Sequence, residues 1–242
     1  MKSEILKYFQ ENIEYLEGCD GGGLSFSLPK FDLRPKNFLT FSELDLNGEH
    51  SLHSLVNATG NLKRAMDCEL DTLMSVLGLD DLYRKKRLGV DKKLGFLERS
   101  GVFKASSLDR INKLRNRLEH HYETPSIEDV QVYFDLVTAF ISIGDSFLYK
   151  LRSISEVNFS YLDYNHYAVK SSISLRPTKV DLVIYNIEKE IVNEFVVKID
   201  SNSTVDDLYD FSYLLKVNQL LGDFYHKNMS RNEFVDFLGG EI

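Results

Sequence analysis

Two arginines, an asparagine and two histidines lie within residues 114–122. The imidazole of histidine titrates near neutral pH, so it can accept a proton and return it. The planar guanidinium of arginine can donate two parallel hydrogen bonds to a phosphate group. Proton transfer beside a bound phosphate is the chemistry that these residue types can supply together. This segment is therefore the first candidate for a functional site.

The same segment has the pattern of an amphipathic helix. Ser106 or Ser107 is the expected N-cap, and Thr124-Pro125 ends the helix. At about 100° per residue, one apolar stripe forms on its surface. The stripe consists of Leu108, Ile111, Leu114, Leu118 and Tyr122. Asn116, Arg117 and His120 point away from it, whereas His121 lies at its edge, so the two histidines are not equivalent.

Arg115-Asn116 followed by His120 resembles the Arg-x4–6-His signature of HEPN domains (higher eukaryotes and prokaryotes nucleotide-binding). The resemblance covers residues 49–150, in which long apolar helices are expected on both sides of the motif. It implies metal-independent cleavage of RNA, in which the ribose 2′-OH attacks the adjacent phosphate and leaves a 2′,3′-cyclic phosphate and a 5′-OH. It also implies a homodimer in which two copies of the motif face one cleft, with neither metal nor cofactor.

The resemblance and the residue chemistry assign roles to six side chains. His120 is the expected proton carrier, Arg115 the phosphate ligand and Asn116 the residue that orients one of them, which makes these three the catalytic candidates. Arg117, Lys113 and Arg110 are the RNA-binding candidates. The expected substrate is single-stranded RNA or tRNA. The expected setting is a toxic or antiviral defence effector of a bacterial system, held in check by an inhibitory protein partner.

Other interpretations of these residues stay open. Arg115 and Glu119 have the spacing of an ion pair on an exposed helix, and His120 and His121 suit a helix C-terminus, where positive charge is favoured. The main alternative is a non-catalytic HEPN-like dimer that binds nucleic acid or a protein. A nucleotide-binding or transferase role ranks last, because Gly21-Gly22-Gly23 is not followed by the Lys and Ser or Thr of a phosphate loop.

Positive charge is concentrated around the motif. Residues 84–117 include twelve basic and three acidic residues, a local charge of +9, although the whole chain carries a net charge of −8. Lysine and arginine dominate phosphate binding, so this distribution favours a nucleic-acid partner that the net charge alone would argue against. Residues 84–87 are also explained as the solvated C-terminal end of a helix.

The composition predicts a folded cytoplasmic protein. Hydrophobic residues make up 43% of the 242 residues, enough for a substantial core. No apolar run approaches the roughly 20 residues of a membrane span, and the chain opens on an amphipathic helix rather than a signal peptide. Cys19 and Cys68 are isolated, so the sequence predicts neither a zinc site nor a disulfide.

The spacing of apolar residues predicts a mainly α protein with an α+β appendage. Helical periods between residues 49 and 152 predict an antiparallel, HEPN-like helical bundle. Alternating patterns at 24–28, 180–185 and 191–199 predict strands, and the N- and C-terminal segments are expected to form one small sheet. The predicted domains are 1–48, a helix and strand that pack on the C-terminal part; 49–152, the bundle; and 153–242, the α+β subdomain.

Overall fold

Five antiparallel strands form one sheet, and they are ordered in it as they are along the chain. The computed structural model describes residues 1–48, 51–103, 113, 126–162 and 166–240. The strands are β1 (Leu16–Gly22), β2 (Glu156–Tyr161), β3 (Tyr167–Leu175), β4 (Thr178–Tyr185) and β5 (Ile191–Lys198). In the pairing of β1 with β2, Leu16 lies opposite Tyr161 and Gly22 opposite Glu156. The sheet thus joins an N-terminal strand to four strands from the C-terminal half.

The helices with described bounds are numbered in chain order. They are α1 (Lys2–Asn12), α2 (Pro35–Asn47), α3 (Leu52–Val76), α4 (Asp80–Lys86), α5 (Val90–Arg99), α6 (Ile127–Ser153), α7 (Val205–Tyr225) and α8 (Arg231–Gly239). Hydroxyls of Ser51, Ser126, Thr204 and Ser230 accept backbone N–H bonds at the starts of α3, α6, α7 and α8. These N-caps satisfy donors that a helix leaves free, and they fix where the four helices begin.

Helix α7 lies across one face of the sheet and contacts β2, β3, β4 and β5. Every residue from 211 to 219 is buried. Asn218 is 1% exposed, and its amide Nδ2 donates to the carbonyl oxygen of Ser155 at 3.1 Å and to Ser171 Oγ at 2.9 Å. A buried amide needs partners of this kind, so these two bonds fix how α7 sits on β2 and β3.

The predicted fold class, a mainly α bundle with a small α+β appendage, is wrong. The chain has a mixed α+β fold with a five-stranded antiparallel sheet. Buried helix residues such as Leu70 and buried strand residues such as Leu182 belong to the same hydrophobic core. Periodicity shows which segments are helical but not which faces meet, and here a helix completes the core of the sheet. The boundaries proposed for the domains 1–48, 49–152 and 153–242 stay a prediction.

The N-terminal strand lies earlier in the chain than residues 24–28, where the sequence predicts it. Its sequence is rich in glycine, and two of these glycines allow a close approach of other elements. A Cβ on Gly18 would lie 2.6 Å from Tyr225 Cδ2, and one on Gly21 would lie 2.6 Å from Ile154 Cδ1. Glycine weakens the alternating pattern by which strands are recognised, so the composition that allows this contact also hides the strand.

Helix α6 packs against α3 and α2. In the described part of the chain it is the one helix long and apolar enough to cross a membrane. Its side chains Tyr133, Val137 and Phe140 are buried in the protein core. The core helix of a folded protein has the same length and composition as a membrane span, so this feature is weak support for one.

Two glycines inside long helices are expected to respond oppositely to alanine. A Cβ on Gly144 of α6 would lie 2.1 Å from Glu69 Oε1 and 3.0 Å from Glu69 Cδ, whereas a Cβ on Gly60 of α3 would meet no described atom within 4 Å. Gly144→Ala should therefore destabilise the protein by about 1–3 kcal/mol through overpacking. Gly60→Ala should stabilise it by up to about 1 kcal/mol through helix propensity. Urea unfolding followed by circular dichroism measures both, and equal stability of the two variants would contradict the packing of Glu69 against Gly144.

Candidate functional site

The candidate motif lies between two points of attachment to α6. Before it, Phe103 stacks on Phe140 of α6 with ring centroids 4.6 Å apart and an interplanar angle of 18°. After it, Ser126 caps α6 through a hydrogen bond that its hydroxyl accepts from the backbone N–H of Asp129, at 3.1 Å. Phe103 is buried and Ser126 is exposed, so the segment is preceded by a contact in the core and followed by an N-cap at the surface.

Most of the predicted site falls outside the described residues. The structure does not describe five of the predicted site residues, so their mutual geometry is not part of it: Arg110, Arg115, Asn116, Arg117 and His120. Lys113 alone is described, in helical conformation and exposed to solvent. An exposed lysine is accessible to a phosphate, which is compatible with its predicted role in RNA binding. The assignments of the six side chains stay predictions.

The described part of the basic stretch divides into paired and unpaired cations. Arg84 pairs with Asp81 and Lys93 with Asp71, and Lys85 donates a hydrogen bond to Asn202. Arg99 stacks its guanidinium over the Tyr209 ring, with Cζ 4.2 Å from the ring centroid. Lys86, Arg87 and Lys92 are exposed and make no side-chain hydrogen bond or ion pair within the described ranges.

The three unpaired cations lie at the end of α4 and the start of α5. Arg87 is the C-cap of α4 and has left-handed backbone angles, φ 53° and ψ 42°. Its backbone N–H closes the helix on the carbonyl oxygens of Arg84 and Tyr83. A cavity of about 520 Å³ beside this turn is bordered by Tyr83, Arg87 and Lys93. The same lining includes two aspartates, Asp71 and Asp80, so the exposed cations suit contact with phosphate groups but the cavity itself does not.

A buried carboxyl lies between α3, α2 and α6. Glu69 is 2% exposed, and its Oε1 has no hydrogen-bond partner among the described residues. Burial raises the pKa of Glu69 to about 8, the negative charge of Asp145 adds to the rise, and Lys36 opposes it. Lys36 of α2 pairs with Asp145 at 2.6 Å, so its charge is shared between the two carboxyls. Near neutral pH the side chain of Glu69 is therefore largely protonated.

The remaining histidines and cysteines form no metal site in the part of the chain that the structure describes. His53 Nε2 lies 3.0 Å from Asn57 Nδ2 on the exposed side of α3, and the His226 ring packs edge-on against Tyr225. Cys19 and Cys68 are free thiols. Among the described residues no group of three or more histidine, cysteine, aspartate or glutamate side chains could hold a metal ion.

Two buried ionisable residues are absent from the sequence-based predictions. Glu69 occupies a core position of α3, with the spacing of Leu62, Met66 and Leu73, and Lys216 stands between Leu215 and Val217 in α7. The signal for both is a charged residue on an apolar stripe. Such a residue is easily assigned to the edge of a helix face, because the width of the buried stripe depends on packing partners that the sequence does not name.

Comparisons of the chain with protein-family models, with curated proteins and with solved structures find no match. The resemblance to HEPN domains stays a prediction that depends on residues 115–120 and on the helices expected beside them. The described residues contribute the attachment of this segment to α6 and the unpaired cations near α4.

The protonation of Glu69 predicts how stability changes with pH. The pKa of this carboxyl is about 8 in the folded protein against an ordinary value of 4.5, so between these values the folded state binds more protons than the unfolded state. Stability should fall as pH rises through this range, by about 1.4 kcal/mol per pH unit at most and on the order of 5 kcal/mol in total. Glu69→Gln should remove this dependence and be the more stable protein at pH 8.5. Urea unfolding at pH 5.5 and 8.5 measures it, with the exposed Glu43→Gln as control, and an unchanged pH dependence in Glu69→Gln would contradict the burial of this carboxyl.

Proposed function

We propose that this protein is a metal-independent endoribonuclease of HEPN type that acts as a homodimer in the cytoplasm. The observation that carries the proposal is the spacing of Arg115, Asn116 and His120 on one predicted helix. The proposal depends on this motif, on its basic surroundings and on the long helices on either side of it, α3 and α6. It places the active site in a cleft between two copies of the chain, because the predicted helix would direct His120 away from its own apolar stripe.

The residue chemistry is sufficient for cleavage by transesterification. His120 takes the proton from the ribose 2′-OH as the 2′-oxygen forms its bond to phosphorus. The bond from phosphorus to the 5′-oxygen breaks, and a proton donor at the site returns a proton to that oxygen, so the products are a 2′,3′-cyclic phosphate and a 5′-OH. Arg115 stabilises the negative charge that develops on the phosphate oxygens. Neighbouring arginines favour the neutral form of the imidazole, which is the form that accepts a proton.

The described cations support binding of a polyanion. Lys86 and Arg87 are exposed and unpaired among the described residues, and both precede the motif within the stretch of local charge +9. RNA phosphates release condensed counterions when such side chains bind them, so each contact adds affinity that depends on salt. Lys86 and Arg87 would bind phosphates of the RNA other than the one that is cleaved.

Cleavage in the absence of metal ions is the first test. Purified protein incubated with single-stranded RNA or tRNA in EDTA should produce fragments that end in a 2′,3′-cyclic phosphate. His120→Ala and Arg115→Ala should each lower the rate by about 10²-fold or more, because they remove the proton carrier and the phosphate ligand. Gel electrophoresis measures the rate. Resistance of the 3′ end to alkaline phosphatase, and labelling of the new 5′-OH by polynucleotide kinase, identify the product ends.

The matched control for this test is His121→Ala. His121 is the neighbouring histidine at the edge of the apolar stripe, so its loss should leave most of the activity. Equal losses in the two histidine variants would contradict the assignment of His120. If wild-type protein cleaves none of the RNAs, the protein is the non-catalytic alternative, a dimer that binds RNA or a protein partner. A monomer in analytical ultracentrifugation would contradict the proposed cleft.

RNA affinity should depend on the unpaired cations of α4. Lys86→Gln combined with Arg87→Gln should weaken binding of a single-stranded RNA and lower the slope of log K against log salt by about 1.4, since a contact to single-stranded RNA contributes about 0.7. Filter binding with His120→Ala protein at several salt concentrations measures the slope without cleavage. Lys189→Gln combined with Lys198→Gln removes the same charge beside and on β5, and an equal effect of this pair would contradict a localised binding surface.

A further inference from the structure

A cavity of about 360 Å³ lies where α1, α5, α7 and α8 meet. Its lining contains three cationic side chains, Lys2, Arg99 and Lys216. No carboxylate is among the described residues that line it. A concave surface with three positive charges and no described negative charge favours an anionic ligand. We name it the cationic cavity.

Lys216 is the buried member of this group. It is 8% exposed, and no hydrogen bond or ion pair of its side chain exists within the described residues. Its stem passes Gly101, where a Cβ would lie 3.2 Å from Lys216 Cγ. Gly101 has φ +72°, so the backbone at this point favours glycine and leaves room for the lysine. A buried ammonium without a partner is unfavourable, and an anion from outside the chain would supply the partner.

The environment of Lys216 disfavours its charge when the cavity holds no anion. Burial lowers the pKa of the Lys216 ammonium, and the positive charge of Lys2 lowers it further. Burial removes water from the ammonium, and Lys2 adds repulsion between like charges. A bound anion would oppose both of them.

Lys2 and Arg99 are exposed, and each lies beside an aromatic ring. Lys2 Nζ is 5.1 Å from the centroid of the Tyr213 ring, and Arg99 Cζ is 4.2 Å from the centroid of the Tyr209 ring. Contact with a ring face holds a cation in position, and it leaves N–H donors free for another acceptor. The two side chains are therefore oriented by the fold and remain able to bind a ligand.

Tyr213 adds an uncharged hydroxyl to the lining. Its side chain is 7% exposed, and burial raises the pKa of the phenol to about 12. The hydroxyl is therefore protonated at neutral pH, and it donates a long hydrogen bond of 3.4 Å to the carbonyl oxygen of Lys2. Leu6 and Leu238 line the same cavity, so it contains apolar surface as well as donors.

We propose that the cationic cavity binds a small phosphate ester or diphosphate, with Lys216 at the buried end and Lys2 and Arg99 at the exposed end. Three cations match a group with two or three negative charges, whereas a carboxylate would leave two of them without a counterion. The apolar wall of Leu6 and Leu238 accommodates a small organic group. This site is independent of the proposed ribonuclease site and contains none of its residues.

Lys216 also borders a second cavity, and the charges that line this second cavity disfavour an anion there. That cavity, of about 550 Å³, also borders Lys216, and its lining includes Glu98, Asp223 and Asp236. Its other cation, Lys150, is already paired with Asp223 at 2.7 Å. Carboxylates repel a phosphate, so the lining charges of the two cavities select the smaller one.

Calorimetric titration with pyrophosphate, inorganic phosphate and acetate tests the proposal on the full chain. Pyrophosphate should bind saturably at one site per chain, phosphate more weakly and acetate not measurably. Arg99→Gln and Lys216→Met should each weaken pyrophosphate binding by at least about tenfold, because each removes a charged donor. Absence of saturable pyrophosphate binding to the wild-type protein would overturn the proposal.

The matched control for Arg99→Gln is Arg152→Gln. Arg152 also stacks on a ring, with Cζ 4.5 Å from the Phe26 centroid, but it does not line the cationic cavity. Arg152→Gln should bind pyrophosphate as the wild type does, and an equal loss in both arginine variants would overturn the site. Circular dichroism reports whether Lys216→Met folds, and if it does not, the exposed variants Arg99→Gln and Lys2→Gln decide the question.

Competition separates a small molecule from an RNA end. Glycerol phosphate and a 5′-phosphorylated RNA are each titrated against bound pyrophosphate, with His120→Ala protein to prevent cleavage. Stronger competition by glycerol phosphate supports the proposal, and stronger competition by the RNA overturns the small-molecule assignment. RNA cleavage by Arg99→Gln protein at the wild-type rate would show that the two sites are separate, so each proposal can fail without the other.

Discussion

The burial of α7 against the sheet is the contact on which most of the structure depends. Nine consecutive positions of this helix, 211–219, are buried, so polar side chains enclosed with them need partners on every side. Asn218 finds two of them, at Ser155 and Ser171. Lys216 finds none among the described residues. Helix α7 therefore contains both Asn218, whose hydrogen bonds fix its position on the sheet, and Lys216, whose ammonium has no partner among the described residues.

Segments with a strong period of their own could be predicted from the sequence. The helical periods predicted between residues 49 and 152 include α3 at Leu52–Val76, and the strands predicted at 180–185 and 191–199 are β4 and β5. Strand β2 is not predicted, and β1 is predicted at the wrong residues. The short β2 and the glycine-rich β1 carry little pattern, and their pairing with each other is decided by contacts between distant parts of the chain.

The candidate site, too, could be predicted from the sequence only in part. Residue types and spacing are enough to select Arg115 and His120 and to assign them a chemistry, because a helical period gives their direction relative to an apolar stripe. The burial of Glu69 and Lys216 could not be predicted in this way. Whether a charged residue next to leucines is enclosed depends on Gly144 approaching from α6 in one case and on Gly101 beside α7 in the other.

The pairing of β1 with β2 also constrains the order in which the protein can fold during synthesis. Gly22 lies opposite Glu156, so the partner of β1 leaves the ribosome only after the more than one hundred residues between the two strands have been made. Closing so long a loop costs conformational entropy. This cost arises before the hydrogen bonds between β1 and β2 can stabilise the closed loop. Until then the nascent N-terminal strand exposes unpaired backbone donors and acceptors. Its glycines and the acidic side chains of Glu17 and Asp20 disfavour pairing with the strands of other chains, which limits aggregation.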